Sequence, residues 1–257
     1  MSNPYVMVAA NIMLVGSEAK LAYSLHGERI FRCATKEGSW FLKWALKKSL
    51  QQADHLFPIN ETVAQKLPDI GVDLSRISRI VAYLPPSEIE DDPKNLSPNF
   101  RNFLNSHSPI IGMQAWFGSF QDGQDIYNLE IVVPLLRKLK KKFPQIGLCT
   151  VISGTRSKSH RDHIFRLREA VGLVNDWLLL EENVPAVALF RRCDIFIRPT
   201  ISDGDSLSVR ECLSFGIPVV ASDSVIRPEG CSLFLMHDPE DLINTVEETL
   251  RNIANCD

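Results

Sequence analysis

A rhythm runs through the second half of this chain. From residue 109 onward short apolar runs recur, "PIIGMQAWFGSF", "GLCTVIS", "WLLL", "DIFIR" and "IPVVA", and each gap between them carries a segment with helical spacing. An apolar run without polar alternation is how a strand reads when both of its faces are buried. Strands separated by helical crossovers imply a parallel sheet covered on both sides, an α/β architecture. Helices are expected near 126–142, 160–171, 185–191, 206–215 and 239–253, and strands near 147–153, 177–180, 194–198 and 217–221.

Residues 1–84 carry the same theme more weakly. Residues 4–15 and 20–25 read as strands, a basic amphipathic stretch over 38–53 as a helix, and "ADHLFPINE" as another strand. "ETVAQKL" reads as a helix and "ISRIVAYLPP" as a strand stopped by two prolines. Between the halves, residues 85–108 are acidic and broken by proline, the composition of a linker. The expected organisation is an incomplete α/β domain at 1–84, a linker at 85–108 and a second α/β domain at 109–257. A chain of 257 residues at 45% hydrophobic can bury one large core or two smaller ones. Its net charge of −3 supplies no basic field for nucleic acid. The six cysteines have neither C-x-x-C pairs nor zinc-like spacing and read as reduced thiols. The N-terminal apolar run lacks a basic flank and is too short to span a bilayer, so a cytoplasmic location is expected.

The chemistry gathers at "ISDGDSLSVRECLSFGIPVVASD", residues 201–223. In parallel sheets ligands bind beyond the carboxyl ends of the strands, where the loop 201–205 and the start of the helix from Ser206 are expected. A helix start presents N–H groups and a positive dipole end, which suits a phosphate. Gly204 allows close backbone approach. Glu211, a turn further in, can accept two hydrogen bonds from a ribose. A purely local reading competes on equal terms: Ser208 and Glu211 have capping-box spacing, and Asp203 or Asp205 could cap the helix.

The stretch "DIFIRPTISDGDSLSVRECLSFGIPVVASDSVIRPEG" resembles the nucleotide-sugar-binding region of the retaining glycosyltransferases of family 4, which have the two-domain GT-B fold. Asp203 and Glu211, with seven residues between them, match the family's carboxylate pair, and Gly216 to Ser222 match its Gly-x-Pro-Val-Val-Ala-Ser strand. The resemblance implies a C-terminal Rossmann-like domain beside a partial N-terminal one, with a nucleoside-diphosphate sugar as donor and neither cofactor nor metal required. It implies that Asp203 meets the sugar hydroxyls, with its reach one methylene shorter than the commoner Glu. The Asp205–Leu207 backbone would meet the diphosphate, with Ser208 beside it, and Glu211 the ribose. "YSLHGERIF" is similar to a family strand that ends in His-Gly, which maps His26 near the reacting sugar; a hydrogen-bonded surface histidine is the plain alternative. The acceptor would be a glycan or lipid-linked glycan, and the leaving phosphate would take the acceptor proton.

Two departures stand out. Where the family offers an Arg and a Lys to the diphosphate, this sequence has Ser119 and Asp122. Arg198, Arg156 and Lys158 are the replacement candidates, with a solvated loop as the alternative for the last two. The family's first strand-loop and the units after it find no counterpart, so a second subunit could complete the acceptor side. Two other readings remain. Asp203-Gly204-Asp205 could be the metal-binding Asp-x-Asp of the GT-A fold, or the chain could bind a nucleotide sugar or a partner without catalysis. Finally, "GSWFLKWALKKSLQQ" interleaves Trp40, Phe41 and Trp44 with Lys43, Lys47 and Lys48. It could lie against the inner face of an anionic membrane, or its apolar residues could be core.

Overall fold

The computed structural model describes residues 4–14, 18–25, 29–59, 61–79, 96–181 and 185–254. They form two compact units, one within residues 1–83 and 203–205 and one within residues 84–202 and 206–257.

The first unit contains α1 (Pro4–Met13), β1 (Ala22–Leu25), α2 (Arg29–Arg32) running into a π-helical turn over Cys33–Glu37, α3 (Trp40–Gln52), β2 (His55–Pro58) and α4 (Glu61–Lys66). β1 and β2 pair in parallel, from Ala22 opposite His55 to Leu25 opposite Pro58, and Ile77 adds one parallel bridge to Leu56. Ser39 starts α3: its hydroxyl accepts from the Leu42 N–H at 3.3 Å, satisfying one donor of the helix start. α3 turns Ala45, Leu46, Ser49 and Leu50 inward, and its leucines join Met7, Leu25, Ile30 and Leu56 in a small core. Trp40, Phe41 and Trp44 stay exposed. The core reading of this helix therefore accounts for its aliphatic face and not for its aromatics.

Residues 4–15 were expected as a strand, yet 4–13 form α1. A continuous apolar run carries no period to separate helix from strand. Here Met7, Ala9 and Ala10 favour the helix, Met7 is buried, and its carbonyl accepts from the Tyr23 hydroxyl at 2.8 Å.

The second unit contains α5 (Pro98–Ser106), β3 (Ile110–Phe117), a small antiparallel hairpin of β4 (Phe120–Gln121) and β5 (Gln124–Asp125), and α6 (Val132–Leu139) after a 3-10 turn over Leu129–Ile131. There follow β6 (Gly147–Thr155), α7 (Lys158–Ala170), β7 (Trp177–Leu180), α8 (Ala186–Phe190), β8 (Ile195–Arg198), α9 (Leu207–Ser214), β9 (Val219–Ser222), β10 (Cys231–Phe234) and α10 (Pro239–Ala254). Six strands make one parallel sheet in the order β10-β9-β8-β3-β6-β7.

Period-two alternation distributes each strand between two cores. Met113 and Phe117 of β3, Trp177 and Leu179 of β7 and Ile195 and Ile197 of β8 meet α6, α7 and α10 on one face. Ile110, Leu178 and Phe196 meet α5, α8 and α9 on the other. Fully burying one such side chain is worth about 1.5–3 kcal/mol, so coverage on both faces explains the unbroken apolar runs.

Two boundaries differ from expectation. Part of the segment read as linker is α5: Ser97 caps it, its hydroxyl accepting from the Phe100 N–H at 3.3 Å, Pro98 occupies the first turn, and Phe100 and Phe103 enter the second core. Proline at a helix start is a start signal rather than a break. The helix expected from 126 begins only at 132, because the Asp125 carboxylate accepts from the Tyr127 and Leu129 N–H groups at 3.2 and 2.9 Å and holds a turn there.

Candidate functional site

The sheet order fixes where a ligand can lie. After β3 the chain winds through β6 and β7 to one side; β8 then sits on the other side of β3 and winds out through β9 and β10. The crossovers diverge between the carboxyl ends of β3 and β8, which is the switch point where parallel sheets bind ligands. The loop 118–128 leaves β3 there, the loop 199–206 leaves β8, and the Ile201 N–H donates to the Ile126 carbonyl at 3.0 Å, tying the two together.

Gly118 opens the first loop at φ +78°, and a Cβ there would lie 2.3 Å from Ser157 Cβ and 2.5 Å from Ser157 N. Only glycine fits without moving backbone. Its N–H donates to Nδ1 of the buried His160 at 2.9 Å, which places the imidazole proton on Nε2, 3.8 Å from Asp125 Oδ2. Burial holds the Asp125 carboxyl above the usual carboxylate range, against the two backbone N–H bonds and His160. A pocket of about 220 Å³ opens here, lined by Gln124, Asp125, Asn128, Glu130, Ile201 and His237 among others. Ligand pockets for drug-sized molecules start near ~300 Å³, so this one alone does not hold a nucleotide.

The second loop delivers the start of α9. Ser206 is the N-cap residue, but its side chain makes no capping bond; its hydroxyl lies 3.1 Å from that of Ser208. A capping box needs Ser at the cap and Glu at the third helical position. Ser208 is the second residue of α9 and Glu211 the fifth, so the proposed box is out of register by two residues. Neither Asp203 nor Asp205 is the N-cap residue; the Asp203 carboxylate accepts from the Gly204 N–H at 3.0 Å. Ser206 and Ser208 are buried, Leu207 is exposed, and Asp203, Gly204, Asp205 and Glu211 are half-buried.

The cation candidates separate. Arg156 follows β6, its Nη1 3.4 Å from Ser119 Oγ and its guanidinium 4.8 Å from the Trp116 ring. It therefore reaches the loop in which Ser119 and Asp122 stand. Arg198 is buried at the end of β8, donates to the Gln114 carbonyl at 3.4 Å and lies 5.2 Å from the Tyr127 ring. Lys158 is exposed on the first turn of α7. His26 lies outside the described residues. Among the described residues no group of three or more His, Cys, Asp or Glu is placed to hold a metal ion.

Arg227 was missed. Its Nε donates to the Ser222 carbonyl at 3.0 Å, and its Nη2 reaches Thr200 Oγ1 at 2.9 Å and Ser222 Oγ at 3.0 Å. The Ser222 and Ser224 hydroxyls donate to the Thr200 carbonyl at 2.5 and 2.7 Å. This cluster pins the loop leaving β8 to the end of β9. Its only signal in the sequence is an arginine shortly after "VVASDS", and its meaning depends on β8 and β9 being neighbours.

A six-stranded parallel sheet in this order, with its loops meeting at the switch point, is the α/β fold of the GT-B glycosyltransferases. Residues 114–252 match the family model described as glycosyl transferases group 1, and the chain belongs to that family. Among solved structures it is similar to HepE of Anabaena in complex with UDP, at 14% identity and TM-score 0.74, covering 97% of this chain and 68% of that one. It is also similar to sucrose-phosphate synthase of Thermosynechococcus elongatus, at 16% identity and TM-score 0.73, covering 98% and 63%. A glycosyltransferase of Rickettsia africae matches at 17% identity and TM-score 0.71, covering 95% and 63%. No curated protein sequence matches the chain. The GT-A fold considered for Asp203-Gly204-Asp205 is thereby replaced by GT-B.

Proposed function

We propose that this chain moves a sugar from a nucleoside-diphosphate donor to a glycan or lipid-linked glycan acceptor, with retention of configuration and without a required metal. The observation that carries the reading is the start of α9 at the switch point, with a cap residue whose side chain does not cap and Glu211 a turn inside. In this reading the N–H groups around Ser206 and Leu207 and the helix dipole meet the diphosphate, Glu211 holds the ribose and Asp203 the sugar hydroxyls. Arg156, beside Ser119, adds charge at the phosphates, with Arg198, Lys158 and His26 as further candidates. The donor C1–O bond to phosphate breaks, the acceptor oxygen bonds to C1 on the same face, and its proton passes to the leaving phosphate. Stabilising that phosphate is an electrostatic task for preorganised donors. HepE, with its UDP and UDP-glucose complexes, makes UDP the first nucleotide to try.

A second reading, donor binding without transfer, draws on Ser119 and Asp122, which stand where the resemblance leads one to expect basic residues. In that reading a separate subunit supplies the acceptor side. Calorimetry with UDP tests the shared part. Glu211→Gln should weaken binding by ~1–3 kcal/mol, the scale of a charge-assisted hydrogen bond, with melting unchanged and with parent binding unaffected by EDTA. Equal affinity of mutant and parent removes the ribose role; loss of binding in EDTA, restored by Mn²⁺, removes the metal-independent reading. Product formation from UDP-glucose then separates the enzyme from the binding module.

A further inference from the structure

The first unit carries a surface that the donor site does not use. α1 and α3 pack together along a groove of about 140 Å³ whose walls include Val8, Ile12, Phe41, Trp44 and Lys48. Around it Tyr5, Ile12 and Met13 of α1 and Trp40, Phe41 and Trp44 of α3 are all exposed, Trp40 and Met13 each at 80%. The Phe41 ring lies 6.0 Å from that of Trp40 and 6.1 Å from that of Trp44, so the aromatics form one continuous patch. A cluster of this kind marks an interaction site rather than scattered surface residues.

Charge decides the occupant. α3 adds Lys43, Lys47 and Lys48, and neither α1 nor α3 carries an aspartate or glutamate. The nearby Glu37 is paired with Arg32. Protein interfaces are depleted in lysine, whereas helices that lie in a membrane surface combine lysines with Trp, Tyr and Phe. Lysine stems can also run along apolar surface and leave the ammonium at lipid phosphates. We propose that the α1–α3 face docks on an anionic lipid bilayer, with Trp40, Phe41 and Trp44 at the boundary of headgroups and acyl chains and the lysines at the phosphates. The proposal stands independently of the transfer reading.

The test sediments the full chain with vesicles of phosphatidylglycerol and phosphatidylcholine in equal parts, and with phosphatidylcholine alone, at low salt. Binding to the anionic vesicles should exceed binding to the neutral ones by about tenfold or more, and Lys47→Gln with Lys48→Gln should weaken it by about tenfold. Brominated acyl chains should quench the tryptophan fluorescence of the parent. Quenching should vanish in the Trp40→Ser, Trp44→Ser variant, because the two remaining tryptophans, half-buried Trp116 and buried Trp177, belong to the other unit. Circular dichroism of the lysine variant, altered only at exposed positions, controls for folding. Absence of sedimentation, equal binding to both vesicle types, or a dimer in light scattering that Trp44→Ser dissolves would each overturn the proposal.

Discussion

The two units solve the same problem with different completeness. In the second, β7, β8 and β9 and most of β3 and β6 are buried, with β10 a partly exposed edge, and helices cover both faces of the six-stranded sheet. In the first, the described residues give two parallel strands and one bridge over a small core, and α1 and α3 leave aromatic and aliphatic side chains in water. Buried apolar area is the main favourable term in folding, so the second unit should be the more stable and the first the one that opens or binds. Local stability of this graded kind can be measured.

The largest contrast should appear in thiol chemistry. Cys149, Cys193 and Cys212 are buried in the second unit, where burial pushes all three thiols up, Cys193 to about 12. Only the thiolate reacts, and it needs access. Their labelling by a thiol reagent in the native protein should be slower than in denaturant by roughly three orders of magnitude or more. Cys33, half-buried in the first unit, should label far sooner. Mass spectrometry of the labelled peptides gives each rate, and labelling of Cys149 as fast as Cys33 would erase the contrast.

Next in size is Trp177→Ala. Trp177 is fully buried, and its indole N–H donates to the Thr150 hydroxyl at 3.0 Å. Truncation should cost about 3–5 kcal/mol through lost burial and the cavity left behind. Denaturant unfolding followed by the slow thiols should show that loss, while the Cys33 labelling rate stays at the parent value. A loss below about 1 kcal/mol would mean that the site collapses and the core is looser than its packing indicates.

What could be read in advance follows the same division. The second unit's strands announce themselves because double-sided burial leaves no polar residue to interrupt "WLLL" or "IPVVA". β10 escaped because "CSLF" is an edge strand with Ser232 and Leu233 exposed, too short and mixed to show a period. α1 was misread because an apolar run fits helix and strand equally, and α5 because its Pro98 looks like a break until it is seen in the first turn. At the site, the sequence placed the α9 start within one residue. The Arg227 cluster and the link from Gly118 through His160 to Asp125 were out of reach, since each joins residues that only the strand order brings together.

The smallest effect should come from the exposed aromatics, and it tests the contrast from the other side. Trp40→Ser removes a side chain that is 80% exposed. A residue that buries little in the folded state gives up little when truncated, so stability should stay within about ±0.5 kcal/mol of the parent. Trp44, 55% exposed and lining the α1–α3 groove, should cost somewhat more as serine, because part of its ring does pack. Denaturant midpoints measured without lipid give both values, and solubility should rise as the apolar patch shrinks. A loss above about 1 kcal/mol for Trp40→Ser would mean that the ring is covered in solution by a second copy or another segment, since surface substitutions away from packed features rarely reach that size. The first unit would then be as completely covered as the second, and its aromatic face would be an assembly contact in place of a free docking surface.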